Sequence, residues 1–323
     1  MFTNENSMKL SLSDVEIYRY VRNMKKMIIR DICELLGFDE ESILCLEEAW
    51  DKINASAEAL KCLQLAQREM FDGDVSFKNR LPVISEESAV NRYTSDMVFW
   101  LSCAEPLREI YKKEGLPDEL CIDCLRDLVY KNRECLKVHG VVGTYVQWFQ
   151  QFFTLERFAF GRLEYDIKVW TTDDYKDYLS EGDCVFACHI PSSGPLLPEA
   201  VLDSLKRLYN FAERRDMLKN GMLAVSCTTW LIYPPMVELL GEESNIRKFH
   251  DMFDVIGVNH RKENPYSCLE WIFYKPYSGR DSIKLMPEDT KLQKILKKFY
   301  LAGGTQGVGT GIIIFDGEKI INK

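Results

Sequence analysis

The sequence predicts an α+β protein: an all-helical first half joined to a second half built on one central mixed sheet. Three observations carry this. Apolar residues recur at helical spacing through the first half, and no strand pattern precedes about residue 157. From Phe158 onward, short β-branched and aromatic runs alternate with amphipathic stretches. The change is abrupt near residue 155, and its flanks are apolar and aromatic rather than rich in Gly and Ser. The expected domains are therefore 1–154 and 155–323, sharing an interface rather than a flexible linker.

The elements follow in order. Ser13-Asp14-Val15-Glu16 is a capping-box pattern opening a helix that Gly37 closes. Helical stretches are expected over 40–71, over 85–113 with a bend at Pro106, and from Pro117 to about 137. Gly140 and Gly143 break the pattern before a short aromatic helix, 145–153. In the second half the expected strands are 158–169, 184–190, 222–227, 253–258, 268–274 and 305–315. Helices are expected at 198–219, 233–240, 244–249 and 289–301.

Composition bounds the function. The 323-residue chain is 46% apolar and 28% charged, with a net charge of −9, which argues against nucleic acid as a partner. The pairs Lys25-Lys26, Arg214-Arg215 and Lys297-Lys298 read as solvated helix faces. Eleven cysteines without paired spacing do not suit a secreted disulfide framework. The N-terminus lacks the charge and apolar run of a signal peptide, and no run of 18 apolar residues spans a membrane. Cytoplasmic residence is expected. Cys121-Ile-Asp-Cys124 lies in a helical pattern with no second ligand pair, so no metal is expected.

The most informative stretch is 182–205, where a short apolar run ends in His189, passes through Pro191-Ser192-Ser193-Gly194-Pro195, and enters a helix near Pro198. A strand feeding a helix through a tight turn leaves backbone N–H groups at the helix N-terminus for an anion. Ser192, Ser193 and Gly194 are residue types that let a backbone approach and donate to it. His189 is a candidate general base, and equally a histidine packed at a strand end. Glu199 falls in the helix's first turn, where an acid complements the dipole. Arg162 and Glu164, two apart in a predicted strand, share a face of the sheet. Ser226 and Trp230 flank the end of the 222–227 strand, and Asn245 stands at a helix start. Gln306-Gly307-Val308-Gly309-Thr310-Gly311 matches a QxxGxG pyrophosphate string. It runs into Ile312-Ile313-Ile314-Phe315 instead of a helix, so glycines within a terminal strand, with a bulge, are the better account.

Phe160-Gly161-Arg162-Leu163-Glu164-Tyr165, His189-Ile190-Pro191-Ser192-Ser193-Gly194-Pro195-Leu196 and Ser244-Asn245-Ile246-Arg247-Lys248-Phe249 together resemble a bacterial family of predicted acyltransferases. Thr229-Trp230-Leu231, Leu285-Met286-Pro287 and Thr290-Lys291-Leu292-Gln293 follow the same order. The family joins a helical N-terminal domain to a GNAT-like C-terminal domain. The resemblance implies an acyl-coenzyme-A-dependent N-acyltransferase acting on an unidentified amine as small-molecule substrate, with coenzyme A or acyl-coenzyme A as co-substrate. The 183–189 strand would accept the pantetheine arm, Ser192, Ser193 and Gly194 would hold phosphate, and His189 would activate the amine. Glu164 or Glu199 would orient the histidine or the substrate, with Arg162, Ser226, Trp230 and Asn245 lining the cleft. In this chain Ile190-Pro191-Ser192-Ser193-Gly194 replaces the family's glycine-rich loop. The alternative is a GNAT-like small-ligand-binding or interaction protein without catalysis, with Trp230 or Tyr233 plugging the cleft.

Overall fold

A computed structural model describes residues 26–260 and 268–322. The chain divides into two compact units, one running to Ala159 and the other from Phe160. The capping-box pattern at 13–16 lies outside the described residues. No described helix is long and apolar enough to cross a membrane.

The N-terminal unit is helical. Its elements are α1 (Lys26–Leu36), α2 (Glu40–Ala55), α3 (Ala57–Phe71), α4 (Phe77–Ser88), α5 (Arg92–Ser102), α6 (Ala104–Lys113), α7 (Asp118–Leu125), α8 (Asp127–His139) and α9 (Gln150–Phe153). The long helices expected from periodicity are broken by local chemistry. Ser56 ends α2, and its hydroxyl then accepts from the Ala59 N–H to start α3. The 85–113 stretch breaks at Ala89, which is left-handed (φ 55°), and again at Cys103. Pro106 bends nothing: it sits in the first turn of α6, where a missing N–H costs no helical bond. The aromatic core includes Phe77 stacked on Phe99 at 5.6 Å and Trp100 against Phe149 at 5.4 Å. Asp96 lies buried within this unit, taking 2.6 Å bonds from Arg92 Nε and Gln147 Nε2. Burial pushes its carboxyl up to about 6 despite the Arg92 guanidinium.

The strands are β1 (Arg157–Phe160), β2 (Leu163–Val169), β3 (Cys184–His189), β4 (Leu223–Thr229), β5 (Asp254–Asn259) and β6 (Val308–Phe315), in the sheet order β1-β2-β3-β4-β6-β5. The single strand expected over 158–169 is two, divided by a Gly161-Arg162 turn in which Gly161 adopts φ 68°. β2 pairs antiparallel with β3 from Glu164↔His189 to Val169↔Cys184. β4 pairs antiparallel with β6 from Leu223↔Phe315 to Thr229↔Gly309, and β5 pairs antiparallel with β6. β3 and β4 run parallel, as the helical crossover α10 (Pro198–Glu213) between them requires. α10 covers the face that carries Tyr165, whose hydroxyl meets Ser204 Oγ at 3.0 Å.

After β4 a 3₁₀ turn (Trp230–Ile232) leads to the short α11 (Pro234–Val237) and to α12 (Asn245–His250). The 268–274 segment is a correction: it forms helix α13 (Leu269–Phe273), not a strand. Its buried residues, Leu269, Ile272 and Phe273, have the i, i+3, i+4 spacing of a helix face. They pack with Met236, Leu296 and Tyr300 in a core completed by α14 (Lys291–Leu301), which starts with a Thr290/Gln293 capping box.

The Gln306–Gly311 string is structural. Gln306 is buried, its Oε1 accepting from the Cys268 N–H at 2.9 Å. Gly309 and Gly311 lie within β6, where an added Cβ would overlap the Ile232 carbonyl and Phe253 respectively. The bulge is in β5, between Val255 and Gly257, rather than in β6.

Two predictions follow from the packing. Gly309→Ala drives a methyl into backbone that cannot yield and should cost about 1–3 kcal/mol in chemical denaturation; an unchanged midpoint would contradict this contact. Asp96, held protonated to about 6 in the native state, has an ordinary carboxyl in the unfolded chain. The native state then binds more protons across that window, so stability falls as pH rises through it. Asp96→Asn should flatten this decline between pH 4 and pH 7, with roughly 2–3 kcal/mol at stake. An unaltered slope would rule it out.

Candidate active site

The β3–β4 ladder consists of two pairs, Phe186↔Val225 and Ala187↔Ser226. β3 continues to His189 and β4 to Thr229. Along these extensions the outer edges remain occupied, β3 by Glu164 of β2 and β4 by Gly309 of β6. The inner edges face one another without a ladder. There Cys227 Sγ donates to the Cys188 carbonyl at 3.6 Å. Both thiols are buried, and the contact with Cys227, together with burial, pushes the Cys188 thiol well above its ordinary value. Two adjacent strand edges with unladdered backbone groups can receive an extended amide-bearing chain.

His189 stands at this opening. Register puts Glu164 opposite it, and alternation puts Asp166, Ala187 and Ser226 on the same face. His189 Nε2 lies 3.2 Å from Asp166 Oδ2, with the imidazole 36% exposed and the carboxylate 8%. A buried carboxylate on one ring nitrogen orients the imidazole and fixes how it presents the other. Asp166 is the residue sequence reading missed. Its signal was present in Glu164-Tyr165-Asp166, which puts two carboxylates on one face of a strand.

Past His189 the chain forms the 190–197 loop and enters α10 with Leu197 as N-cap, no side-chain cap and Pro198 in the first turn. Ser192 and Gly194 are exposed and Ser193 half-buried. Gly194 has φ 140°, a conformation glycine alone adopts readily. The amides of Ser192, Ser193 and Gly194 meet no acceptor among the described residues. Arg162 differs from expectation. It lies in the β1–β2 turn rather than in a strand. Its guanidinium reaches the loop instead, donating from Nε to the Pro195 carbonyl at 3.1 Å and from Nη2 to the Gly194 carbonyl at 2.7 Å. Nη1 donates to the Pro191 carbonyl at 2.9 Å and to Ser193 Oγ at 3.2 Å.

The other expected residues are placed as follows. Glu199 is exposed in the first turn of α10. Ser226 lies half-buried on the His189 face. Trp230 turns away into a small apolar cavity with Leu231, Met236, Leu240 and Leu296, a cavity that Ile246, next to Asn245, also lines. Tyr233 is buried against Gly307, its hydroxyl 2.7 Å from His260 Nδ1. The geometry thus joins Arg162 to the loop and His189 to Asp166, and sets Trp230 along a separate apolar wall, while Asn245 begins α12 one residue before Ile246 of that wall. Among the described residues no group of His, Cys, Asp and Glu is arranged to hold a metal.

Residues 158–313 match the GNAT-like C-terminal domain, and residues 27–155 match the N-acyltransferase N-terminal domain. No curated protein matches the chain. Among solved structures, an acyltransferase in complex with decanoyl-CoA is 18% identical, with a TM-score of 0.69 over 93% of this chain and 99% of that one. An acyltransferase in complex with decanoyl-CoA and teicoplanin is 21% identical, with a TM-score of 0.70 over 92% and 93%. A mutant acyltransferase in complex with octanoyl-CoA is 20% identical, with a TM-score of 0.70 over 92% and 93%. These likenesses establish the fold. With its two domains matched in order, the chain belongs to the family that joins an N-acyltransferase N-terminal domain to a GNAT-like C-terminal domain.

Proposed function

We propose that this protein is an acyl-coenzyme-A-dependent N-acyltransferase whose acceptor is a small-molecule amine. The observation that carries the reading is the β3–β4 ladder, whose last pair, Ala187 with Ser226, lies two residues before His189 and the 190–197 loop. A pantetheine arm lies along the inner strand edges, its amides bonding to backbone groups there. The pyrophosphate meets the loop amides and the N-terminus of α10, a sixteen-residue helix with a full dipole. A medium-chain thioester is the first donor to try, since acyltransferases of this fold were solved with decanoyl- and octanoyl-CoA.

His189 takes the proton from the amine as its nitrogen attacks the thioester carbon and the C–S bond breaks. The thiolate leaves with the electron pair and is protonated from solvent. Asp166 holds the imidazole in place, and Glu164 beside it makes this face anionic, favouring an approaching amine. The rate gain comes from positioning and proton removal, without a covalent enzyme intermediate. Cytoplasmic residence fits eleven cysteines, none of them in a disulfide.

Calorimetric titration with decanoyl-CoA should give saturable binding. His189→Gln should retain that binding while lowering transfer to a panel of amines, read as thiol release, by about 10²–10⁴-fold. Absence of binding to the wild-type protein would refute the reading. A fully active His189→Gln variant would refute the role of the histidine.

A further inference from the structure

A loop that binds phosphate through its backbone must present N–H groups outward and bury its carbonyl dipoles. Glycine-rich loops reach that state through positive φ angles at several residues. The 190–197 loop has one glycine and two prolines, and three further residues, Ile190, Gly194 and Leu197, precede a proline, so it cannot organise itself in that way. Arg162 supplies what the glycines would. Its planar fork captures the carbonyls of Pro191, Gly194 and Pro195 together with the Ser193 hydroxyl. In a trans peptide the N–H of the next residue points opposite to the carbonyl. Fixing the Pro191 carbonyl therefore turns the Ser192 N–H away from the guanidinium, and fixing the Pro195 carbonyl does the same for the Leu196 N–H. Between them, the Gly194 carbonyl precedes Pro195, which has no N–H to misdirect. The captured carbonyls also have their negative ends neutralised by the guanidinium, which leaves the outward side of the loop electropositive.

We propose that Arg162 is a positioning residue that holds the 191–196 backbone in its anion-binding form, and so replaces a glycine-rich phosphate loop. This rests on the reading of the loop as the coenzyme A pyrophosphate site. Charge alone does not explain the role. A lysine keeps the cation but has no fork to bridge three carbonyls at once.

The test compares decanoyl-CoA with decanoyl-pantetheine, which share the acyl chain and the arm and differ in the nucleotide and pyrophosphate. In calorimetric titration, Arg162→Lys and Arg162→Gln should each weaken decanoyl-CoA by about tenfold or more, while decanoyl-pantetheine stays within about twofold of wild type. Amide exchange over 191–197 should quicken in both variants, with thermal midpoints near wild type. Lys284→Gln, which removes an exposed cation paired with Asp281 outside the loop, should hold decanoyl-CoA within about threefold and serves as the folded control. Wild-type affinity in Arg162→Lys would overturn the role, and so would equal weakening of both ligands. If the wild-type protein itself bound no decanoyl-CoA, the pyrophosphate reading would fall and this role with it. Wild-type binding with an unaffected Arg162→Lys would remove this role alone.

Discussion

The two-residue ladder between β3 and β4 is the constraint on which the rest of the site depends. Each strand is committed on its outer edge, β3 to β2 as far as His189 and β4 to β6 as far as Thr229. Between them the pairing lasts only through Ala187 and Ser226. The residues that follow prevent its continuation. Cys188 and Cys227 come next, and the Cys227 thiol contacts the Cys188 carbonyl. Pro191 then removes a donor from one chain, while the other turns into a 3₁₀ helix at Trp230 under a Thr229 cap. A parallel pair that is short at one end, with both outer edges satisfied, leaves a slot of defined length. The slot opens at the point where β3 delivers its histidine and its loop.

The β2 hairpin serves both sides of that slot. Arg162, in the turn that enters β2, restrains the loop through three carbonyls, and Asp166, four residues on, restrains the histidine. Opposite charges therefore do separate work on one short element. The positive group organises backbone, and the negative group orients a side chain. Both act from partly or fully buried positions, where such bonds are worth more than on an open surface.

Cavity walls and glycines were less transparent. The QxxGxG string has the composition of a phosphate loop, and its glycines are required, but by Ile232 and Phe253 and not by an anion. Close backbone approach needs glycine in either setting, so residue type cannot distinguish them; only the following Ile-Ile-Ile-Phe run could. The 268–274 run was ambiguous for a related reason. Five to seven apolar residues suit a buried strand or a buried helix turn, and the core around Met236 and Tyr300 decided for the helix.

Periodicity and turn chemistry in the sequence determined the helical first half, the alternating second half, and the strand–His189–turn–helix unit, because these depend on neighbours within a few residues. The same local rules placed the candidate anion loop at Ser192–Gly194. Tertiary structure alone decided that the β3–β4 ladder stops after two pairs, that Arg162 grips the loop, and that Asp166 is a carboxylate on His189. Those outcomes depend on which strands become neighbours and in what register. Register is set by contacts between residues 15 to 39 apart in the chain, which no local pattern encodes.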